Sequence, residues 1–310
     1  MGLTPSESTH SSLEPRTLNL EPAYRVERLA FAYSRAANGG DGWALKELTF
    51  EIARGEIVGL IGPNGSGKSS LLKLLARLLT PLGGAVHMGG RPLEGLPQAE
   101  IARTVALVPQ QQPQLFPFTV AEMVLMGRFP HHRTRGSLVG FAWETGEDLR
   151  VAEEAMAVMD VTRLASRSID DVSGGERQRA FIARALAQTP EILLLDEPTA
   201  HLDLHHQRDI CEALRRLNAE RGVTVVLVSH DLNLASQYCD RLMLLHEGAL
   251  VRFGPPAQVL QAELIESVYR CRVLVDRHPV SGVPRVTLPG RDASGARPEA
   301  RGAGQELRRD

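Results

Sequence analysis

Apolar residues alternate with polar ones through Tyr24, Val26, Leu29, Phe31 and Tyr33, pause across the glycine-rich stretch from Asn38 to Gly42, and resume through Leu45, Leu48, Phe50 and Ile52. A period near two predicts antiparallel strands joined by a loop. The spacing then changes. Ile57 to Ile61 is a short continuous apolar run, as in a strand buried on both faces, and after a glycine-rich turn Leu71, Leu72, Leu74, Leu75, Leu78 and Leu79 recur at helical spacing. Apolar strand and turn return at Ile192 to Leu195 and at Val223 to Ser229, the latter before a helix over Leu232 to Tyr238. That succession predicts a parallel sheet covered by helices.

Between residues 111 and 172 the chain becomes Met-, Glu- and Arg-rich, punctuated by Pro113, Pro117 and Pro130, which predicts an inserted helical subdomain. Residues 1–22 and about 289–310 lack apolar periodicity and are rich in Pro, Ser, Gly, Glu and Arg, so mobile tails are expected there. The expected division is a tail over 1–22, a globular unit over 23–275 and a C-terminal extension with tail over 276–310, with a small strand-containing piece at Val273 to Val286. No period of 20 to 50 residues points to a solenoid or propeller.

Composition narrows the class. The 310 residues are 43% hydrophobic and 23% charged, which suits a globular chain, and 35 basic against 37 acidic residues leave a formal charge of −2. The whole-chain field that drives non-specific nucleic-acid binding is therefore absent. Cys211, Cys239 and Cys271 match neither a disulfide framework nor a zinc motif, which suits a reducing compartment. The start does not read as a secretory signal, and no run reaches the length of a membrane span. Only Lys46, Lys68 and Lys73 are lysines, so a lysine at a chemically demanding position is informative.

One such position is Lys68. Gly62-Pro63-Asn64-Gly65-Ser66-Gly67-Lys68-Ser69, followed by Ser70, fits G-x-x-x-x-G-K-S/T between a predicted strand and helix. Glycines let the backbone wrap phosphate oxygens, and successive N–H groups with the helix N-terminus present positive charge to a polyanion. Lys68 can reach the β- and γ-phosphates, and the Ser69 hydroxyl can complete the shell of Mg²⁺. Ile192 to Leu195 delivers Asp196 and Glu197 at the carboxyl end of a strand, where open parallel sheets place ligands. Alone, this reads equally as a solvated loop before Pro198; beside a phosphate loop, Asp196 becomes a carboxylate for Mg²⁺ and Glu197 the group that orients or deprotonates water. His230 closes another apolar strand and is either a structural histidine or a partner of the γ-phosphate. His131, His132, His201, His205 and His206 lack a metal-site pattern. Ser173-Gly174-Gly175-Glu176 opens a helix, either as an ordinary capped start or as an anion-facing one.

In their order along the chain, the phosphate loop, Gln110, Val172-Ser173-Gly174-Gly175-Glu176-Arg177-Gln178-Arg179, Asp196-Glu197, Ala200-His201-Leu202-Asp203 and His230 resemble the ATP-binding cassette of ABC transporters over about residues 24–275. The resemblance implies an α/β fold, a P-loop NTPase core with an N-terminal antiparallel β subdomain and the helical insertion. It implies ATP and Mg²⁺, with Gln110 as the Q-loop residue linking γ-phosphate and metal to the membrane partner. It further places Ser173, Gly174, Gly175 and Glu176 in the signature, Asp203 in the D-loop, and His230 as the switch histidine. Tyr33 is the aromatic expected on adenine, with Trp43 as rival. Val172 stands where many cassettes have Leu, a smaller apolar residue that leaves the anion contacts intact.

By the same resemblance two cassettes pack head to tail, each nucleotide lying between one copy's phosphate loop and the other's signature. The homodimer would serve two transmembrane permease subunits and, through them, a periplasmic or extracellular substrate-binding protein, at the cytoplasmic face of a bacterial membrane and without nucleic acid. Gly127-Arg128-Phe129-Pro130-His131, Glu197 to Leu204 and Gly254-Pro255-Pro256-Ala257-Gln258-Val259-Leu260 resemble importers of iron-siderophores, haem and cobalamin. The apolar residues around 115–126 are either a groove for a membrane subunit or subdomain core. The alternatives are a soluble ABC ATPase acting on nucleic acid or ribosomes, an importer cassette for another metal or an oxyanion, and an inactive regulatory cassette. The soluble ATPases usually carry long coiled-coil insertions or two cassettes in one chain, neither of which appears here, and the inactive cassette is disfavoured by filled catalytic positions.

Overall fold

A computed structural model of the protein describes residues 21–33, 43–110, 117–132 and 145–290. Strands β1 (Tyr24–Ala32) and β2 (Trp43–Ile52) pair antiparallel, as their alternation predicts, but the alternation changes phase midway. Arg28 and Glu47 take left-handed backbone angles of +48° and +49° in φ, and the register shifts between Val26 and Leu29. These irregularities keep Tyr24, Val26, Leu29 and Phe31 on the buried side despite the odd spacing.

Then follow β3 (Ile57–Ile61), α1 (Lys68–Leu75), β4 (Gly83–Met88), β5 (Arg91–Pro92), α2 (Gln98–Thr104) and β6 (Val105–Val108). The middle of the chain carries α3 (Val120–Leu125), a 3₁₀ turn over Met126–His131 and α4 (Gly146–Val158). The remainder is α5 (Gly174–Ala187), β7 (Ile192–Leu195), α6 (Leu204–Arg221), β8 (Thr224–Val228), α7 (Leu232–Tyr238), β9 (Arg241–His246), β10 (Ala249–Gly254), α8 (Pro256–Val259), α9 (Ala262–Tyr269), β11 (Leu274–Arg277) and β12 (Pro284–Thr287). The sheets run β2-β1-β4-β5, β10-β9-β3-β8-β7-β6 and β11-β12.

In the six-stranded sheet β9, β3, β8, β7 and β6 are mutually parallel and β10 closes the edge antiparallel. Its central strands are buried on both faces, and their residues divide by parity between two cores. Ile57, Ile61, Leu193, Leu195, Val225 and Leu227 face a core shared with α3, α4, α5 and α6. Val58, Leu60, Ile192, Leu194, Val226 and Val228 face a second core shared with α1 and the antiparallel sheet. This double covering explains the continuous apolar runs of the sequence.

Of the apolar residues around 115–126, Val120, Met123 and Val124 are buried core, whereas Phe129 in the following turn is 63% exposed. Phe116 and the rest of 111–116 lie outside the described residues. A boundary at 275 falls inside β11, and β12 reaches Thr287. The expected tails lie outside the description over 1–20 and 291–310. Among the described residues no helix is long and apolar enough to cross a membrane.

Candidate functional site

The carboxyl ends of β3, β6, β7 and β8 share one edge of the sheet, and the loops leaving them carry the chemistry that the motifs announce. Gly62 leaves β3 at φ +145°, and a Cβ there would stand 2.1 Å from the Leu245 carbonyl oxygen, so only glycine passes. The loop ends on Gly67, also left-handed, where α1 begins without a side-chain cap and without an acid in its first turn. Its orphan N–H groups and dipole are therefore free for an external anion. The Lys68 ammonium donates to the carbonyls of Gly62 and Pro63 at 2.8 and 2.9 Å. Burial pulls it below the usual lysine range, while Glu197 and Asp196 counteract. The Ser66 hydroxyl is buried without a hydrogen-bond partner. An uncapped helix start, an unsatisfied buried hydroxyl and a lysine folded onto its own loop fit a phosphate chain that accepts from all three.

Asp196 follows β7 and is held beside β6 by its N–H, which donates to Val108 O at 2.9 Å. The Ser69 hydroxyl donates to Asp196 Oδ1 at 3.0 Å. The carboxyl is 6% exposed, and burial pushes it above the usual range against the Ser69 bond. A divalent cation would reverse that push, and a hydroxyl beside a single carboxylate is a donor set for Mg²⁺ completed by phosphate and water.

Glu197 has left-handed backbone, φ +54°. A non-glycine residue in that region carries a small conformational cost, which its surroundings must impose. Gln110 Nε2 donates to Glu197 Oε2 at 2.6 Å, and His230 Nε2 lies 2.5 Å from Glu197 Oε1. Side chains from the ends of β6 and β8 thus meet on the carboxylate that follows β7.

Tyr33 stands near α1, its hydroxyl 3.0 Å from Ser70 Oγ and its ring edge-on to Phe31 at 4.9 Å. At 64% exposure it offers a free aromatic face. Trp43 opens β2, and its side chain lies outside the described residues.

Ser173 is the N-cap of α5, in a capping box with Glu176. The Ser173 N–H, then its hydroxyl and Arg163, hold the Glu176 carboxyl below its usual range despite partial burial. Ser173 and Gly174 are exposed, whereas Gly175 is buried against the start of α6. A Cβ on Gly175 would lie 2.5 Å from Cδ2 of His206, so this glycine admits the imidazole. His206 Nδ1 lies 2.8 Å from Asp203 Oδ1, and Asp203 caps α6 by accepting from the His206 N–H at 2.9 Å. Among the described residues the Ser173 and Glu176 side chains bond to one another and to Arg163, and those of Asp203 and His206 to one another, while the N-terminus of α5 stays exposed at Ser173 and Gly174.

The other end of α5 is gripped by the turn over Met126–His131. Arg128, 7% exposed, donates to the Ala187 carbonyl at 2.8 Å and to Asp148 Oδ1 at 2.9 Å. His131 Nε2 lies 2.8 Å from the Gln188 carbonyl oxygen, so two side chains of the turn satisfy the helix end. Sequence reading alone missed this clamp, and likewise His206; no spacing rule announces either, because each depends on which helix lies alongside. Among the described residues no group of three or more His, Cys, Asp and Glu is arranged to hold a metal.

The family profile described as ABC transporter matches residues 45–200. The chain is 41% identical over 269 residues to the ferric enterobactin transport ATP-binding protein FepC of Escherichia coli, covering 87% of this chain and 95% of that protein. It is 46% identical over 260 residues to the hemin import ATP-binding protein HmuV of Nocardia farcinica, covering 82% and 86%. Among solved structures, an inward-facing ABC transporter assigned to the metal-chelate type aligns at TM-score 0.73 and 29% identity over 87% of this chain and 98% of that one. A dimeric ATP-binding cassette in a post-hydrolysis state with ADP and Pi aligns at TM-score 0.63 and 31% identity, over 75% and 98%. With a phosphate loop, a carboxylate after β7 met by side chains from two further strand ends, and relatives of nearly full length all agreeing, the chain belongs to the ABC transporter family.

Proposed function

We propose that this chain is the ATP-hydrolysing subunit of an importer for an iron-siderophore, haem or cobalamin-type compound. The observation that carries the reading is the meeting of Gln110, Glu197 and His230 beside the loop that holds Lys68 and the Ser69–Asp196 pair. In this reading the loop residues Gly62, Pro63, Asn64, Gly65, Ser66, Gly67, Lys68, Ser69 and Ser70 hold the phosphates, and Tyr33 takes the adenine. Ser69, Asp196 and Gln110 would hold Mg²⁺, which would neutralise phosphate charge. Glu197 orients the attacking water and draws off its proton. His230 and Gln110 fix that carboxylate, and Lys68 meets charge developing on the phosphates. The reaction is then one of positioning and electrostatic stabilisation.

The outward-facing start of α5 supports a dimer in which Ser173, Gly174, Gly175 and Glu176 of one copy, with Asp203 nearby, complete the nucleotide site of the other. The names of the relatives, ATP-binding proteins of transport and import systems, support membrane permease partners; in this reading there are two, a periplasmic or extracellular binding protein is reached through them, and the chain is peripheral on the cytoplasmic face. In the same reading, residues 23–275 form the nucleotide-handling unit.

Purified protein should hydrolyse ATP only with Mg²⁺, and the Glu197→Gln chain should elute as a dimer with ATP and as a monomer without it. Hydrolysis at the full rate by a chain that stays monomeric throughout turnover would refute the shared-site reading.

A further inference from the structure

The strand pair β11–β12 lies outside the main sheet, yet it is fastened to the helix that follows His230. Asn233 Nδ2 donates to the Val286 carbonyl oxygen at 3.0 Å, and the Val286 N–H donates to Asn233 Oδ1 at 2.8 Å. One carboxamide thus engages both backbone groups of a strand residue, as a neighbouring strand would. Three residues on, the Ser236 hydroxyl, 1% exposed as a residue, donates to the Pro284 carbonyl oxygen at 2.7 Å. Positions three apart share a helix face, so α7 is held to β12 along one side.

This attachment matters because α7 has seven residues, too few for its own hydrogen bonds to stabilise it. Its entry is a chain of local bonds. The Ser229 hydroxyl donates to Asp231 O at 2.9 Å and accepts from the Asp231 N–H at 3.1 Å, and Asp231 Oδ1 accepts from the N–H groups of Asn233 and Leu234. His230 sits between Ser229 and Asp231, and its side chain is 44% exposed, so packing alone does not hold the imidazole against Glu197. The orientation of the turn does, and that turn is anchored on one side by β8 and on the other by α7.

We infer that Asn233 is a positioning residue for His230: by locking α7 to β12 it sets the turn from which the imidazole reaches Glu197, which makes the C-terminal extension a working part of the nucleotide site. The inference rests on the proposed role of His230 in hydrolysis.

Full-length Asn233→Ala and Ser236→Ala chains, compared with wild type by imidazole ¹⁵N–¹H spectra at one fixed pH and by steady-state MgATP hydrolysis, test it. His230 resonances are assigned by their loss in His230→Ala. Asn233→Ala is expected to shift or broaden the His230 resonances while those of His87 and His246 stay in place. It should lower kcat about 3- to 10-fold, the scale of one or two net hydrogen bonds, with KM for ATP within about twofold because the phosphate loop is untouched. Ser236→Ala should act in the same direction more weakly, and carries the test if Asn233→Ala does not fold. Unmoved His230 resonances overturn the inference whatever happens to activity, since a merely structural role lowers the folded fraction without displacing this ring. Displaced resonances with unchanged kcat uphold the positioning and refute instead the part given to His230 in hydrolysis.

Discussion

Replacing Arg128 by Met tests the clamp on α5. In the native protein the guanidinium and the Asp148 carboxylate are 9% and 5% exposed and 2.9 Å apart. Burial pushes Asp148 up, but bonds from the Thr145 hydroxyl, from Arg128 and from the Thr145 N–H outweigh it, and the carboxyl falls from 3.8 to about 2. That depression corresponds to roughly 2 kcal/mol of folding stability at neutral pH. Because the folded-state value is the lower one, this contribution is present above pH 3.8 and lost as the pH falls toward 2. Part of it belongs to Thr145, yet Arg128→Met also orphans the Ala187 carbonyl, so the total loss should approach the roughly 3–5 kcal/mol typical of breaking a buried pair.

Urea denaturation followed by circular dichroism at pH 7 measures the loss. A wild-type series between pH 4 and pH 2 should show the acid-dependent share, of which the variant lacks the part owed to Arg128. The double substitution Arg128→Met with Asp148→Leu removes the buried unpaired carboxylate and should recover part of the stability, the remainder staying lost because the Ala187 carbonyl and the Thr145 cap of α4 still lack their partners. A single variant within about 1 kcal/mol of wild type, the worth of an exposed pair, would refute the reasoning. So would a double variant no better than the single. Hydrolysis should fall in parallel, because the opposite end of α5 carries Ser173 to Glu176.

Glu197→Gln should retain ATP binding while phosphate release drops by about 10²–10⁴, the range for a removed general base; wild-type turnover would count against the assignment. Lys68→Ala removes the cation that donates to the loop carbonyls and should weaken nucleotide binding by about 10- to 100-fold, read by fluorescent-nucleotide titration, with unaltered binding as the contrary result. Gly175→Ala drives a methyl into the His206 ring and should cost about 1–3 kcal/mol in thermal denaturation; Gly175→Ala with His206→Ala should recover much of it, and no recovery would place the strain elsewhere. If the region over 110–135 contacts a membrane subunit, Phe129→Ala should impair uptake in reconstituted vesicles more than basal hydrolysis, and equal effects on the two would disprove the coupling.

The phosphate loop was legible because its chemistry is local: glycines, Lys68 and Ser69 lie within eight residues, and the strand before and helix after them have distinct periods. Likewise the buried runs at β3, β7 and β8 announced a parallel sheet covered on both faces, since a strand lacking a polar face has nowhere else to go. Burial of Val120, Met123 and Val124 was not separable in advance from a docking groove. Apolar residues at helical spacing look the same whether they meet their own chain or a partner.

The sequence by itself determined the identity and order of the chemical groups, and with them the α/β class, because short-range spacing encodes secondary structure and phosphate binding directly. Tertiary structure alone decided that Gln110 and His230 close on Glu197, that Gly175 admits the His206 ring, that Arg128 grips α5, and that Asn233 binds Val286. Those contacts join residues far apart in the chain, and their partners are chosen by which strand ends and helix faces packing brings together, which no local pattern records.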